Sequence, residues 1–133
     1  MEHEIINAIR NLEDLRWIKP AADEQIAAAE AALGIPFAPD YRAYVRRYGA
    51  ISARGIELTG VTSARRLDVV EVTGRERALN PLLPKNMYVI ENLGIDGIVM
   101  LQDSTGAIYS LHPNRGPKRE LENLTEYVRQ SVF

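Results

Sequence analysis

The sequence predicts a single α+β domain of 133 residues, in which a mostly antiparallel (mixed) β-sheet is flanked by helices. Three observations predict this fold class. Several segments place apolar residues at helical spacing, a central segment alternates apolar runs with turn sequences, and the length fits one hydrophobic core. The apolar fraction of 46% and the charged fraction of 26% are typical of globular proteins and argue against disorder.

The charge and cysteine content argue against several functional classes. The formal net charge is −2, so the chain lacks the basic character of nucleic-acid-binding proteins. Cysteine is absent, which excludes disulfides and thiolate zinc sites. The N-terminal sequence M-E-H-E-I-I does not resemble a signal peptide, and no apolar run is long enough to span a membrane. We therefore expect a soluble, cytoplasmic protein that binds neither a membrane nor nucleic acid directly.

The first predicted helix covers residues 4–15, where isoleucine and leucine recur at helical spacing opposite charged residues. The step Lys19-Pro20 ends this segment, because a residue before proline disfavours the α conformation. The second predicted helix, Asp23–Leu33, is rich in alanine and carries acidic residues in its first turn, where they stabilise the helix dipole. We expect Gly34 to cap this helix in a left-handed conformation.

The third predicted helix begins at Pro39 and is stopped by Gly49. Three of its tyrosines lie at helical spacing on one face, which predicts packing in or beside the core: Tyr41, Tyr44 and Tyr48. Each hydroxyl needs a hydrogen-bond partner if it is buried. Alternating apolar residues between Ile56 and Val61 then predict a strand after a turn at Gly55.

Residues 67–79 carry conflicting signals. Three valines favour a strand by propensity, and Gly74 weakens a helix by about 1 kcal/mol relative to alanine. The same segment, however, places Leu67, Val70, Gly74 and Ala78 on one helical face. We predict a helix, with a strand as the alternative.

The segment Asn86–His112 predicts three consecutive antiparallel strands, which organise the fold. Its apolar runs are Tyr88–Ile90, Ile98–Leu101 and Ala107–Tyr109, the last followed by Leu111. Asp96-Gly97 between the first two runs is a strong hairpin signal, because glycine accepts the positive φ of primed turns. The sequence Asp103-Ser104-Thr105-Gly106 predicts the second turn, in which the aspartate side chain bonds to the downstream backbone.

The C-terminal part of the sequence predicts a loop, a strand and a helix. The loop covers residues 114–117, and Lys118–Leu121 forms a short edge strand. The last helix, Leu124–Ser131, is capped by Asn123, with Glu126 placed as in a capping box. Its buried stripe consists of Leu124, Tyr127 and Val128.

The sequence contains no recognisable catalytic constellation. The two histidines, His3 and His112, lack the spacing of a metal site or of a nucleophilic site, and His112 is interpreted as a surface or turn residue. The D-S-T-G turn is superficially similar to that of aspartic proteases. It has an extra residue between Asp103 and Gly106, and no second copy exists to form the carboxylate dyad. We expect no enzymatic activity, no catalytic residues, no metal and no cofactor.

Four acidic residues around the predicted sheet are the candidate contacts for a partner: Glu57, Glu91, Asp96 and Asp103. Strand ends and hairpin loops on a rigid sheet are places where binding residues often lie. An acidic rim there would suit a basic protein partner, such as a nuclease, through complementary charge. Turn chemistry alone also accounts for Asp96 and Asp103.

Three blocks of the sequence carry distinctive motifs: Ile26–Gly49 contains L-G-I-P and P-D-Y-R, Tyr88–Tyr109 contains V-I-E-N-L-G-I-D-G and L-Q-D-S-T-G-A-I-Y, and Leu124–Tyr127 is L-T-E-Y. In their order and spacing these blocks resemble the SUKH superfamily, which includes fungal Smi/Knr-type cell-wall-assembly regulators and many bacterial immunity proteins. The chain departs from the family pattern at Phe37-Ala38-Pro39, where relatives usually have Leu-Pro.

The resemblance implies an α+β fold, a helix at Leu67–Leu79 before the three strands, and no catalytic residues. It also implies a protein partner. Our first hypothesis is an immunity protein that neutralises a cognate bacterial toxin, such as a nuclease, by direct binding. The alternative is a regulatory or scaffold module of the cell-wall-assembly-regulator type that binds a cellular protein. A small-ligand binder or an enzyme is the third interpretation.

Overall fold

The structure is a computed structural model that describes residues 2–130, with side chains from residue 3 onward. This part of the chain forms five helices, a three-stranded sheet and a four-stranded sheet, which confirms the α+β fold class. The helices are α1 (Glu2–Arg10), α2 (Asp23–Leu33), α3 (Pro39–Tyr48), α4 (Val69–Leu79) and α5 (Leu124–Gln130). The strands are β1 (Arg16–Trp17), β2 (Ile51–Ala53), β3 (Ile56–Glu57), β4 (Met87–Asn92), β5 (Val99–Asp103), β6 (Ile108–His112) and β7 (Arg115–Leu121). No helix within residues 2–130 has the length and apolar character needed to cross a membrane.

The first helix is shorter than predicted, because α1 ends at Arg10 instead of continuing to residue 15. Asp14 adopts a positive φ of 58°, which no α-helix accommodates, and the chain then turns into β1. β1 pairs antiparallel with β2, and β2 pairs with β3. Neither β1 nor β2 was predicted. The strand predicted for residues 56–61 is limited to Ile56–Glu57.

Helices α2 and α3 match their predicted bounds. Gly34 caps α2 with a φ of 73°, and its N–H donates to the Glu30 carbonyl at 2.9 Å. Pro39 occupies the first turn of α3, where its missing N–H costs no hydrogen bond.

The sequence Leu67–Leu79 is helical from Val69 onward, and Asp68 caps it by accepting a hydrogen bond from the Glu71 N–H at 3.4 Å. The helix prediction for this segment is therefore confirmed.

Two glycines allow chain segments to cross at very short distances. A Cβ atom on Gly49 would lie 1.9 Å from the carbonyl oxygen of Lys19, and a Cβ on Gly60 would lie 1.8 Å from the carbonyl oxygen of Gly49. Gly49 also has a φ of 77°, which favours glycine. These contacts fix the segment that follows β1 against the end of α3.

The four-stranded sheet has the order β4-β5-β6-β7, with every neighbouring pair antiparallel, so the three predicted consecutive strands are confirmed. Asp96 and Gly97 have φ values of 53° and 71°, as a primed turn requires, and the Ile98 N–H donates to the Ile95 carbonyl at 3.0 Å. They form the centre of a longer loop instead of a two-residue hairpin. In the second turn, the Gly106 N–H donates to the Asp103 carbonyl at 3.0 Å.

The C-terminal elements differ from their predicted bounds. β7 begins at Arg115, so the loop prediction for residues 114–117 is wrong over 115–117. Proline is compatible with this strand because β7 lies at the sheet edge. Asn123 caps α5, with its Oδ1 accepting from the Glu126 N–H at 2.9 Å. The Glu126 carboxylate accepts from the Glu122 N–H at 2.7 Å, one residue earlier than a capping box requires. Ser131, predicted to end this helix, lies outside the described residues.

The core joins both sheets to the helices. Its larger cluster contains the α3 tyrosines, Ile51 and Ile56 of the small sheet, and Tyr88 and Ile90 of β4. A smaller cluster lies on the other face of the large sheet, between α4 and residues such as Val89 and Leu101. The sheet is thus covered on both faces.

The expected hydroxyl partners are present for two of the three α3 tyrosines. The Tyr41 hydroxyl bonds to Thr59 Oγ1 at 2.9 Å, and the Tyr44 hydroxyl donates to the Thr59 carbonyl at 2.7 Å. Thr59 Oγ1 in turn donates to the Val89 carbonyl at 2.8 Å. Tyr48 packs edge-on against Trp17, with ring centroids 5.5 Å apart.

Candidate functional site

An open groove of about 640 Å³ crosses one face of the four-stranded sheet. The turn after β2, the strands β4, β5 and β7, and helix α5 contribute its lining. The residues relevant to its chemistry are Arg54, Glu91, Leu93, Met100, Glu120 and Tyr127. Of the four acidic residues that the sequence predicts as partner contacts, Glu91 is the one in this lining.

A β-bulge in β4 directs Glu91 into the groove. Val89 pairs with Leu101, but the next pair is Glu91 with Met100, so Ile90 is the extra residue. Strict alternation would place Glu91 on the same face as Val89, beneath α4. The bulge shifts the alternation by one residue and places Glu91 beside Met100 on the groove face. Bulges often redirect a side chain in this way near functional sites.

Both carboxylate oxygens of Glu91 accept hydrogen bonds. Oε2 accepts from the Glu57 N–H at 2.7 Å, and Oε1 accepts from the Tyr127 hydroxyl. Only 7% of the Glu91 surface is exposed. The carboxylate is therefore held in one position at the floor of the groove.

Burial raises the pKa of the Glu91 carboxyl, and the nearby Glu57 carboxylate adds to the increase. The hydrogen bonds from the Glu57 N–H and the Tyr127 hydroxyl lower the pKa without cancelling the effect of burial. Burial, followed by the Glu91 charge, raises the pKa of the Tyr127 hydroxyl. Tyr127 accordingly remains protonated at neutral pH and acts as a donor.

Tyr127 is the residue of this site that sequence reasoning missed. The sequence assigned it to the buried stripe of the last helix, and it is indeed buried. Asn123 fixes the start of α5, and this sets the helical phase that brings the tyrosine to the groove. No sequence pattern links Tyr127 to Glu91, because 36 residues separate them.

The walls of the groove combine apolar and charged groups. Leu93, in the loop after β4, is exposed at the lip, and Ile95 in the same loop is also exposed. Glu120 on β7 accepts a hydrogen bond from Ser110 Oγ at 2.6 Å. The Arg54 guanidinium is bonded to the Glu13 carboxylate at 2.8 Å. The groove therefore presents carboxylates next to apolar side chains.

The Glu91 carboxylate has hydrogen-bonding capacity that the fold does not use. A carboxylate offers about four acceptor positions, so Glu91 retains capacity for a donor in addition to its two internal hydrogen bonds. A lysine or arginine side chain supplies such a donor and complementary charge. Residues 2–130 contain no group of three or more histidine, aspartate or glutamate side chains arranged to hold a metal ion.

The other three predicted contact residues do not share this groove. Glu57 is half-buried and forms two hydrogen bonds with the Arg66 guanidinium, at 2.6 and 3.1 Å. Asp96 is exposed in the loop before β5, whereas Asp103 lies at the opposite end of the same strand. The structure thus does not bring the four residues together on one rim, and their role as partner contacts stays a prediction.

Asp103 stabilises its own turn. Its carboxylate accepts hydrogen bonds from the Thr105 N–H at 3.0 Å, the Thr105 hydroxyl at 2.6 Å and the Tyr109 hydroxyl at 3.1 Å. Burial pushes the pKa of Asp103 upward, but these hydrogen bonds outweigh burial, and the pKa is lowered. His112 lies at the end of β6, where its Nδ1 is 2.7 Å from the Arg115 guanidinium, and it does not line the groove.

The sequence model of one protein family, SUKH_5, described as SMI1-KNR4 cell-wall, matches residues 2–133. No curated protein sequence matches the chain. The family match extends the similarity seen in three sequence blocks over nearly the whole chain.

Proposed function

The chain belongs to the SUKH family described as SMI1-KNR4 cell-wall, and from this premise we propose that it is an immunity protein, which neutralises a cognate bacterial toxin by binding it directly. The observation that carries the proposal is the groove at Glu91. A carboxylate held at its floor and exposed apolar side chains at its lip are what an inserted lysine or arginine of a basic toxin requires.

The proposed mechanism is occlusion. The toxin, a nuclease or another effector that acts inside the cell, inserts a basic side chain into the groove. The surrounding surface then covers the toxin's active site or a nearby surface, burying in total on the order of 1,600 Å². Neutralisation of such a toxin places the chain in the cytoplasm.

Two features of the site favour binding without catalysis. The raised pKa of Tyr127 keeps its hydroxyl protonated, so it is a poor nucleophile. Both oxygens of Glu91 already accept hydrogen bonds from the protein, which holds the carboxylate as a fixed acceptor for a donor of the partner. We infer that the chain transforms no substrate and requires no cofactor.

Co-expression with the toxin encoded in the adjacent reading frame tests the proposal. We expect cells that carry the wild-type chain to survive induction of the toxin. Leu93→Lys, which places a positive charge at the lip of the groove, is expected to weaken the complex at least tenfold and to reduce survival.

Leu79→Lys is the matched control, because Leu79 is 71% exposed at the end of α4 and does not line the groove. Death of cells that carry the wild-type chain would contradict the immunity function for that toxin. Equal survival with Leu93→Lys would show that the groove is not the contact.

The description of the family favours a second candidate function. Its reference to the cell wall suits a regulatory or scaffold module that binds a cellular protein. The two candidates differ in context, because an immunity protein is needed only where its toxin is present. A cell-wall defect after deletion of the gene, in a strain without the toxin, would support the second candidate.

A further inference from the structure

A second surface feature lies at the β1 edge of the three-stranded sheet. Trp17 and Ile18 are adjacent, and 51% and 48% of their surfaces are exposed. Arg16 and Lys19 flank them in the chain, and both are exposed. Arg47 is also close, since its guanidinium carbon lies 5.0 Å from the ring centroid of Tyr48, which contacts Trp17. We name these five residues the Trp17 patch.

The Trp17 patch is rigid for an exposed segment. The Ile18 N–H donates to the Ala50 carbonyl at 3.1 Å, and the Trp17 ring packs edge-on against Tyr48. The backbone of Lys19 lies directly against Gly49, where a Cβ would come within 1.9 Å of the Lys19 carbonyl oxygen. A side chain held in this way loses little conformational entropy when a partner binds.

The charge of the patch is uncompensated within the described part of the chain. The neighbouring carboxylates are engaged elsewhere, since Asp23 pairs with Arg46 at 3.1 Å and Glu13 pairs with Arg54 at 2.8 Å. Among the described residues, none of the observed ion pairs involves Arg16, Lys19 or Arg47. The exposed Trp17–Ile18 pair is thus flanked in the chain by Arg16 and Lys19 and lies near Arg47, on a chain whose net charge is −2.

We propose that the Trp17 patch docks a segment of the protein partner that combines acidic residues with at least one apolar anchor. Tryptophan and arginine are the residues that most often dominate binding energy at protein interfaces. Acidic side chains complement the three cations, and an apolar side chain covers the indole and Ile18. This inference rests on the proposed function, in that the chain binds a protein, and it adds a second contact that is distinct from the groove.

Selection from a displayed peptide library tests the chemistry without knowledge of the partner. Peptides are selected on the full chain and counter-selected on Trp17→Ala. We expect a consensus with two or more acidic residues beside an aromatic or aliphatic residue. A basic or uncharged consensus, or no peptide that depends on Trp17, would overturn the proposal.

The sole tryptophan of the chain makes the measurement direct. Titration with a selected peptide is expected to shift the Trp17 emission in a saturable way, and the affinity is expected to fall as salt rises. The charge-reversed variant Arg16→Glu/Lys19→Glu is expected to bind at least tenfold more weakly. Leu79→Ala is the control, because it removes an even more exposed apolar side chain elsewhere.

Labelled-peptide anisotropy replaces the tryptophan signal for Trp17→Ala, and circular dichroism confirms that each variant is folded. Trp17→Phe, which keeps an aromatic ring, is expected to retain most of the affinity. Unchanged affinity in the charge-reversed variant would overturn the proposal. Tighter binding of a single-stranded oligonucleotide than of the peptide would assign the patch to nucleic acid instead and would also overturn it.

Failure of this inference is distinguishable from failure of the immunity function. Wild-type protection against the toxin, with no loss of toxin affinity in Trp17→Ala, would reject the patch and keep the immunity function. Selective peptide binding without protection would reject the immunity function and keep the patch.

Discussion

At the scale of single residues, the main feature of the molecule is a carboxylate that is largely excluded from water. Glu91 is buried, and its hydrogen bonds from Glu57 and Tyr127 recover only part of the lost hydration, so its pKa is raised. A hydrophobic side chain at this position would leave the Glu57 N–H and the Tyr127 hydroxyl without their acceptor. The carboxylate therefore joins β3, β4 and α5, and the proposed function uses its remaining acceptor capacity.

Glu91 is expected to make the stability of the protein depend on pH. Its pKa in the folded state exceeds the ordinary glutamate value of 4.5, which applies to the unfolded chain. The folded state therefore holds this proton more tightly than the unfolded state. The free energy of unfolding that is due to Glu91 is therefore highest at low pH and falls as pH rises from about 4.5 through the raised pKa. Urea denaturation midpoints, measured at intervals of about half a pH unit between pH 4 and 8, test this pH dependence.

Glu91→Gln isolates that contribution. Its carboxamide oxygen can accept from the Glu57 N–H while its amide donates to the Tyr127 oxygen, so the fold is retained. The raised pKa of Asp68 and the lowered pKa of Asp103 are present in both proteins and cancel in the difference. We expect the advantage of wild type over the variant to shrink as pH rises. Parallel pH profiles would contradict the role assigned to Glu91.

Tyr127→Phe removes the donor to Glu91 and is expected to cost about 1.5–3 kcal/mol at neutral pH, as for a hydrogen bond to a charged group. The pKa of Glu91 should rise further, so the loss should diminish in acid. Tyr109→Phe is the comparison, because that hydroxyl also donates to a carboxylate but at a half-buried position. Equal losses for both variants would show that burial of the Glu91 site adds nothing.

At the scale of elements, the connections around α3 depend on glycine for close contact. Gly49→Ala is expected to destabilise the protein by about 3 kcal/mol or more, since a positive φ and overlap with the Lys19 carbonyl act together. Gly74→Ala in α4 is the matched control. Nothing lies within 4 Å of its Cβ position, so it should stabilise the protein by about 0.5–1 kcal/mol. Chemical denaturation of both variants checks the signs, and a Gly49→Ala protein as stable as wild type would refute the clash.

Elements with local start and stop signals were predictable from the sequence. Gly34 and Pro39 bound α2 and α3 without help from tertiary contacts, and both helices match the prediction. The strands β1 and β2 span two and three residues, which is too short for alternation to be recognised. They exist because Trp17 and Ile51 pair across a long stretch of chain, and the same pairing shortens α1.

The candidate site was only partly predictable for a related reason. Glu91 was identified, but its orientation depends on a bulge at Ile90 that no residue type marks. The groove is assembled from positions between Arg54 and Gln130 on separate elements. Asp96 and Asp103 were correctly interpreted as turn residues because turn chemistry is local, whereas the pairing of Glu91 with Tyr127 is a tertiary contact.

At the scale of the whole molecule, Thr59 connects the two sheets. Its N–H donates to the Ile90 carbonyl at 2.8 Å, and its hydroxyl donates to the Val89 carbonyl at 2.8 Å. Its carbonyl and hydroxyl also bond to Tyr44 and Tyr41 of α3. Since Ile51 and Ile56 of the small sheet share one apolar cluster with Ile90 of the large sheet, neither sheet can unfold without exposing the core of the other.

We therefore expect one cooperative unfolding transition. Trp17 fluorescence reports on the small sheet and far-UV circular dichroism on the whole chain, and their midpoints in urea should coincide.

The variant Thr59→Val keeps the shape of the side chain but removes its hydroxyl. The buried Val89 carbonyl and Tyr41 hydroxyl each lose a hydrogen-bond partner, which is expected to lower the free energy of unfolding by about 1–3 kcal/mol. Both midpoints should fall together in this variant, because the apolar cluster still joins the sheets. A fluorescence transition at lower urea than the circular dichroism transition would show instead that the small sheet, and with it the Trp17 patch, unfolds as a separate unit.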